Sequence, residues 1–138
     1  MSSLTVFLAR FIGFFTVLMV LCLLARGSGI IGATMADGPV LLAYAVMSLA
    51  IGLAMVIGHN IWSGGTLPVI VTLVGWLILA KGLLLALLTP EALAGWMQSI
   101  HYGQHPRLFL GPALLIGLYL TWGGFWAGNR PTQGPVSV

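Results

Sequence analysis

Few side chains in this sequence have the chemistry to bind a metal or a charged ligand, and they are widely spaced. The candidates are Arg10, His59, Asn60, Lys81, His101 and His105. His101 and His105 are four residues apart, a spacing that places both on one helix face and suits a divalent metal. Pro106 follows directly, and no carboxylate or thiol stands beside them. We therefore interpret the two histidines as a polar pair and predict no metal.

The residue combinations that catalysis requires are missing from the sequence. It contains only two acids, Asp37 and Glu91, which stand far apart, and it has neither a nucleophile beside a base nor a glycine-rich phosphate loop. The five Lys and Arg residues are scattered singly, whereas nucleic-acid binding needs a clustered basic surface. We predict no enzymatic activity and no nucleic-acid partner.

These polar residues are set in four long apolar segments, at about 4–25, 39–58, 67–88 and 106–127. Each is close to the roughly 20 residues that a membrane-spanning helix needs. With 59% hydrophobic and 5% charged residues, the composition excludes a soluble domain. We predict an all-α membrane protein in which four transmembrane helices form an up-down-up-down bundle with both termini on one side. We expect the whole chain, 1–138, to form one domain and predict a mobile tail at 129–138.

The first segment is read as a retained helix. A cleaved signal peptide would carry a charged region before its apolar stretch, but Leu4 to Ala9 is already mostly apolar and Arg10 lies inside the segment.

The segment boundaries carry helix-capping residues. Asp37, followed by Gly38 and Pro39, is expected to start the second helix, and Thr66 is expected to cap the third. After the third segment, Thr89 and the apolar spacing that follows predict a short amphipathic helix in the headgroup region.

Arg10 and Lys81 are the two charged residues at membrane depth, where a charge costs at least about 2.5 kcal/mol. The favoured interpretation is that each long side chain lifts its charge to the headgroups. The alternative groups Arg10 with His59 and Asn60 at one end. Lys81 would then face an acid or a tyrosine at the other end, the candidates being Asp37, Tyr44 and Glu91. Such groups would contact an anion, a lipid headgroup or another subunit.

The positive charges that would set the membrane orientation are nearly balanced between the two sides. Arg10 and Arg130 would lie on the terminal side, against Arg26, Lys81 and Arg107 on the other. Topology set by partners or by the insertion machinery is favoured over dual topology. Small residues spaced four apart, as in Ala9 and Gly13, favour packing within the bundle over a homodimer seam. The other pairs of this kind are Ser48 with Gly52, Ala50 with Ala54, and Gly124 with Gly128.

Trp76 lies near the centre of the third segment, unlike the other tryptophans, which fall near segment ends and are interpreted as interfacial anchors. Ordinary packing is favoured for Trp76, and a quinone or carotenoid beside it and Tyr119 is the alternative. Haem is not expected, because His59 sits at a segment end and the other histidines lie in a loop.

The middle third of the chain carries a pattern of its own. It runs Gly58-His59-Asn60-Ile61-Trp62, then Gly75-Trp76, Lys81-Gly82 and Pro90. In this pattern the chain resembles small, uncharacterised bacterial integral membrane proteins with about four helices. The resemblance implies a bacterial inner membrane and no particular activity or cofactor.

We predict a non-catalytic accessory or structural subunit of a larger bacterial inner-membrane complex, embedded in lipid beside other membrane subunits. The alternative is an independent small transporter or channel, in which a homodimer touches an anionic solute through Arg10, Lys81 or the His59 end. Binding of an apolar cofactor beside Trp76 ranks below both.

Overall fold

All four apolar segments fold into helices. The structure, a computed structural model, describes residues 2–27, 37–99 and 106–128, and in these ranges it contains helices and no strand. In chain order the helices are α1 (Ser3–Arg26), α2 (Gly38–Gly58), α3 (Thr66–Leu87), α4 (Pro90–Ser99) and α5 (Pro106–Gly128). All except α4 are long and apolar enough to cross a membrane. The all-α class is thus confirmed, and the long helices end within one residue of the predicted bounds.

The start of α2 follows the predicted capping chemistry, and the start of α3 does not. Asp37 precedes α2, and its Oδ1 accepts a hydrogen bond from the Val40 N–H at 3.2 Å. Thr66 was expected to cap α3, but it is the first residue of that helix, and Gly65 occupies the cap position without a side-chain bond. The Thr66 hydroxyl instead lies 2.6 Å from the hydroxyl of Tyr119 in α5. The expectation was wrong because the Thr66 hydroxyl bonds to Tyr119 in the tertiary structure and not to the start of its own helix.

The short helix α4 begins after Thr89, whose hydroxyl accepts a hydrogen bond from the Ala92 N–H at 3.3 Å. Among the residues of α4 whose burial is described, the buried apolar side chain is Leu93. Leu93 joins a cluster formed by the beginning of α2 and the end of α3, whose other members are Leu41, Ala45 and Leu85. This contact holds α4 across one end of the α2 and α3 pair.

Helices α2 and α3 pack closely and run antiparallel. Ser48 lies opposite Gly82, and Met55 lies opposite Gly75, so residues later in α2 meet residues earlier in α3. The approach is closest at Gly52, where an added Cβ would lie 2.6 Å from the Cα of Leu79. Side chains larger than hydrogen would therefore separate the two helices.

Helices α1 and α5 form the second close antiparallel pair. Arg10 lies against Gly124, and Gly13 lies against Gly117 and Thr121. A Cβ on Gly13 would come within 2.5 Å of the Thr121 backbone nitrogen. The small-residue motif of Ala9 and Gly13 thus faces inward, as does that of Ser48 and Gly52, whereas Ala50 and Ala54 are exposed.

The two helix pairs meet at one end of the molecule, where the first half of α3 contacts α1 and α5. The buried apolar residues at this junction are Ala9, Ile12, Met55, Leu67, Val71 and Leu120, and the buried polar residues Thr5, His59 and Thr72 lie at the same end. Close packing here joins the beginning of α1, the end of α2, the beginning of α3 and the second half of α5.

Candidate functional site

Lys81 and Tyr44 form a polar pair on the outside of the α2 and α3 hairpin. The Lys81 ammonium donates a hydrogen bond to the Tyr44 hydroxyl at 2.8 Å and lies 4.5 Å from the centre of the tyrosine ring. Both residues are exposed. The neighbouring Gly82 brings the helix backbones together, and this allows the lysine stem of α3 to reach across to α2.

The pair carries a positive charge and lies near the end of α3. Lys81 lies six residues before the end of α3, which is about 9 Å along the helix. Tyrosine supplies a neutral acceptor and an aromatic face, and both interactions leave the positive charge in place. Among the described residues, no carboxylate pairs with Lys81, although Asp37 and Glu91 were both sequence-based candidates.

Arg10 is held by α5. Its Nε donates a hydrogen bond to the Gly124 carbonyl oxygen at 3.0 Å, and its guanidinium carbon lies 4.7 Å from the centre of the Phe125 ring. The absence of a side chain at Gly124 makes room for the arginine stem, because an added Cβ would lie 2.9 Å from Arg10 Cγ. The structure thus places the guanidinium between α1 and α5, and its hydrogen bond goes to α5 and not to His59 or Asn60.

His59 is buried, with 2% of its surface exposed, and neither ring nitrogen has a hydrogen-bond partner among the described residues. Its neighbour Asn60 is exposed, and the Asn60 side-chain oxygen accepts a hydrogen bond from the Trp62 indole N–H at 2.7 Å. The predicted polar end at His59 and Asn60 is therefore divided between one enclosed imidazole and one surface amide.

Thr72 organises the chain next to His59, a role that sequence reasoning missed. The buried Thr72 hydroxyl accepts a hydrogen bond from the Ile61 N–H at 3.0 Å and donates to the Ile61 carbonyl oxygen at 3.0 Å. The sequence signal for this role was a threonine one to two turns inside an apolar helix. It follows a short connection whose backbone N–H and C=O groups need hydrogen-bond partners.

Trp76 and Tyr119 lie on exposed surfaces at different levels. Trp76 is 44% exposed on α3. The Tyr119 hydroxyl bonds to Thr66, which precedes Trp76 by ten residues, or about 15 Å along α3. His101 and His105 lie outside the described residues. Within the described ranges, no group of three or more His, Cys, Asp or Glu side chains is placed to hold a metal ion.

The fold and these sites define an all-helical protein with four helices of membrane-spanning length, compatible with a multi-pass membrane bundle. Comparison of the chain with protein-family models, with curated proteins and with solved structures found no match.

Proposed function

We propose that the protein is a non-catalytic accessory or structural subunit of a larger complex in a bacterial inner membrane. In this proposal its four long helices cross the bilayer up-down-up-down, and both termini lie on the same side. The observation that carries the proposal is the outward-facing Lys81 and Tyr44 pair, since an exposed cation six residues inside a long apolar helix is well placed to meet an acidic or polar group of a neighbouring subunit.

The outward direction of the Lys81 side chain favours docking to a partner subunit over transport of a solute. In transporters and channels, charged side chains at membrane depth face the bundle interior or a water-filled cavity. Here the described buried residues at the junction of the helix pairs include no Lys, Arg, Asp or Glu, although Thr5, His59 and Thr72 are polar. Lys81 faces away from that junction, on the surface of the α2 and α3 pair.

The outer face of α2 supplies an apolar surface beside the polar pair. Met47 and Ile51 follow Tyr44 at helical spacing, and all three are exposed. Ala54 continues the same side of the helix and is also exposed. Small and medium side chains at such positions allow a partner helix to approach closely, while its acid or polar group meets Lys81. We name this surface, consisting of Tyr44, Met47, Ile51, Ala54 and Lys81, the α2 docking face.

The test is native mass spectrometry of the protein extracted gently from its own membrane. We expect a stoichiometric complex with unlike chains. Lys81→Met and Tyr44→Phe should each lower partner retention by about fivefold or more, because a charge-assisted contact or its orienting hydroxyl is lost. Leu83→Met is the matched control, because Leu83 is also exposed on α3 but forms no part of the docking face.

Two results would contradict the proposal. A wild-type protein that stays a monomer or a homodimer would redirect the assignment to an independent transporter and to flux assays. Full partner retention by both docking-face variants, with normal membrane insertion, would show that Lys81 only lifts its charge to the headgroups.

A further inference from the structure

The outer surface where α1 meets α5 carries an open aromatic groove of about 430 Å³. This volume falls in the range of about 300 to 1,000 Å³ that is usual for ligand sites. One cation, Arg10, lies in the groove wall. The apolar lining consists of Phe7, Phe11, Phe14, Phe15, Leu18 and Phe125.

A phenylalanine ladder forms the long side of the aromatic groove. The rings of Phe7 and Phe11 lie 6.0 Å apart at an interplanar angle of 10°. Those of Phe11 and Phe15 lie 6.3 Å apart at 14°. Because the three residues are four apart on α1, their rings line up along the helix and present a continuous apolar wall. Such a wall suits an extended hydrocarbon chain.

The length of the aromatic groove matches one leaflet. Phe7 and Leu18 are eleven residues apart on α1, which corresponds to about 16 Å along the helix. The hydrocarbon core of a bilayer is about 30 Å thick, so each leaflet contributes roughly half of that. On α1 the groove begins about 6 Å after the start of the helix and ends about 5 Å beyond its middle, so an acyl chain lying along it would reach the bilayer centre.

Arg10 marks the headgroup end of the aromatic groove. Its guanidinium is bound at the level of Gly124 and Phe125, between Trp122 and Trp126 in the sequence of α5. The two indole rings are stacked with centres 5.7 Å apart, and both are exposed. Tryptophans on an outer surface gather where headgroups meet hydrocarbon. A guanidinium at this level of α5 would lie within reach of a lipid phosphate.

Among the described residues, no anion pairs with the charge of Arg10. Its Nε is used by Gly124, and among the described residues neither terminal guanidinium nitrogen has an acceptor. The two acidic side chains of the sequence, Asp37 and Glu91, lie at the opposite end of the molecule. Asp37 precedes α2, and Met55, the α2 residue that packs in the Ala9 cluster, lies about 27 Å further along that helix. Guanidinium groups bind phosphate through paired, charge-assisted hydrogen bonds.

We propose that the aromatic groove binds one anionic phospholipid per chain. The Arg10 guanidinium contacts the lipid phosphate, and one acyl chain lies along the phenylalanine ladder towards Leu18. A free inorganic anion would leave this apolar wall unused, and a neutral apolar molecule would leave the cation unpaired. The inference is independent of the α2 docking face, which lies on the other helix pair.

The test uses the full chain, stripped of lipid in detergent and titrated with phosphatidylglycerol or with phosphatidylcholine of the same acyl chains. Native mass spectrometry counts the lipids bound. Both lipids carry the phosphate, but the choline cation of phosphatidylcholine would lie close to the Arg10 guanidinium and repel it, so we expect one phosphatidylglycerol to bind about tenfold or more tightly. Arg10→Gln should remove this preference. Arg26→Gln should keep it, because Arg26 lies at the other end of α1 and outside the groove.

A second pair of variants keeps the proposal testable if Arg10→Gln does not fold. Phe11→Ala should weaken phosphatidylglycerol binding several-fold by removing the middle of the ladder, whereas Leu21→Ala, exposed on α1 outside the groove, should not. Equal binding of the two lipids, or wild-type binding by Phe11→Ala, would overturn the proposal. Displacement of the lipid by millimolar inorganic phosphate would overturn it as well, because the site would then recognise the anion alone.

Discussion

At the scale of single residues, His59 is the least satisfied polar group in the described structure. Both ring nitrogens are buried without a hydrogen-bond partner. An unpaired buried polar group costs about 1 to 3 kcal/mol, while an apolar side chain of similar size carries no such penalty. His59 therefore lowers the stability of the fold in which it stands.

We expect His59→Leu to leave the free energy of unfolding unchanged or to raise it by up to about 2 kcal/mol, because the replacement removes the unpaired nitrogens. Thr72→Val is the matched contrast. It is also buried at this site, but its hydroxyl serves the Ile61 backbone, so its loss should cost about 1 to 3 kcal/mol. Equilibrium unfolding of the purified protein in mixed micelles measures both. A large loss of stability in His59→Leu would show that the imidazole has a partner that stabilises the native state.

At the scale of helices, contact between α2 and α3 depends on glycine. Gly52 faces the Leu79 backbone so closely that an added methyl group would force the helices apart.

We expect Gly52→Ala to lower the free energy of unfolding by about 1 to 3 kcal/mol through overpacking. Gly58→Ala is the control on the same helix, because a Cβ there meets nothing within 4 Å. The two variants should separate clearly in the same unfolding assay. If both lost the same stability, the effect would belong to the alanine substitution and not to helix contact.

At the scale of the whole molecule, the helix contacts make the proposed topology testable. The beginning of α1 and the connection between α2 and α3 lie at the end where the helix pairs meet, whereas α4 lies across the other end of α2 and α3. In an up-down-up-down bundle these two ends face opposite sides of the membrane.

We expect Ser3→Cys and Ser63→Cys to react with a membrane-impermeant maleimide from one side and Glu91→Cys from the other. All three positions are exposed, and the background should carry Cys22→Ser because the native thiol is exposed too. Labelling intact and opened membrane vesicles measures the side. Reaction of Ser3→Cys and Ser63→Cys from opposite sides would refute the arrangement, and reaction of every position from both sides would indicate dual topology.

The sequence by itself determined the number, class and bounds of the long helices. An apolar stretch of about twenty residues pairs its backbone groups in a membrane by forming a helix. Residues that end or start a helix, such as Arg26-Gly27 and Asp37 to Pro39, mark the helix bounds in the local sequence. The tertiary structure decided how the helices rotate and pair. Rotation depends on which small residues meet across helices, and many glycines offered similar motifs. Packing alone therefore determined that Lys81 points outward to Tyr44 and that Arg10 lies against Gly124. It also determined that His59 is buried and that the Thr66 hydroxyl bonds to Tyr119 instead of capping α3.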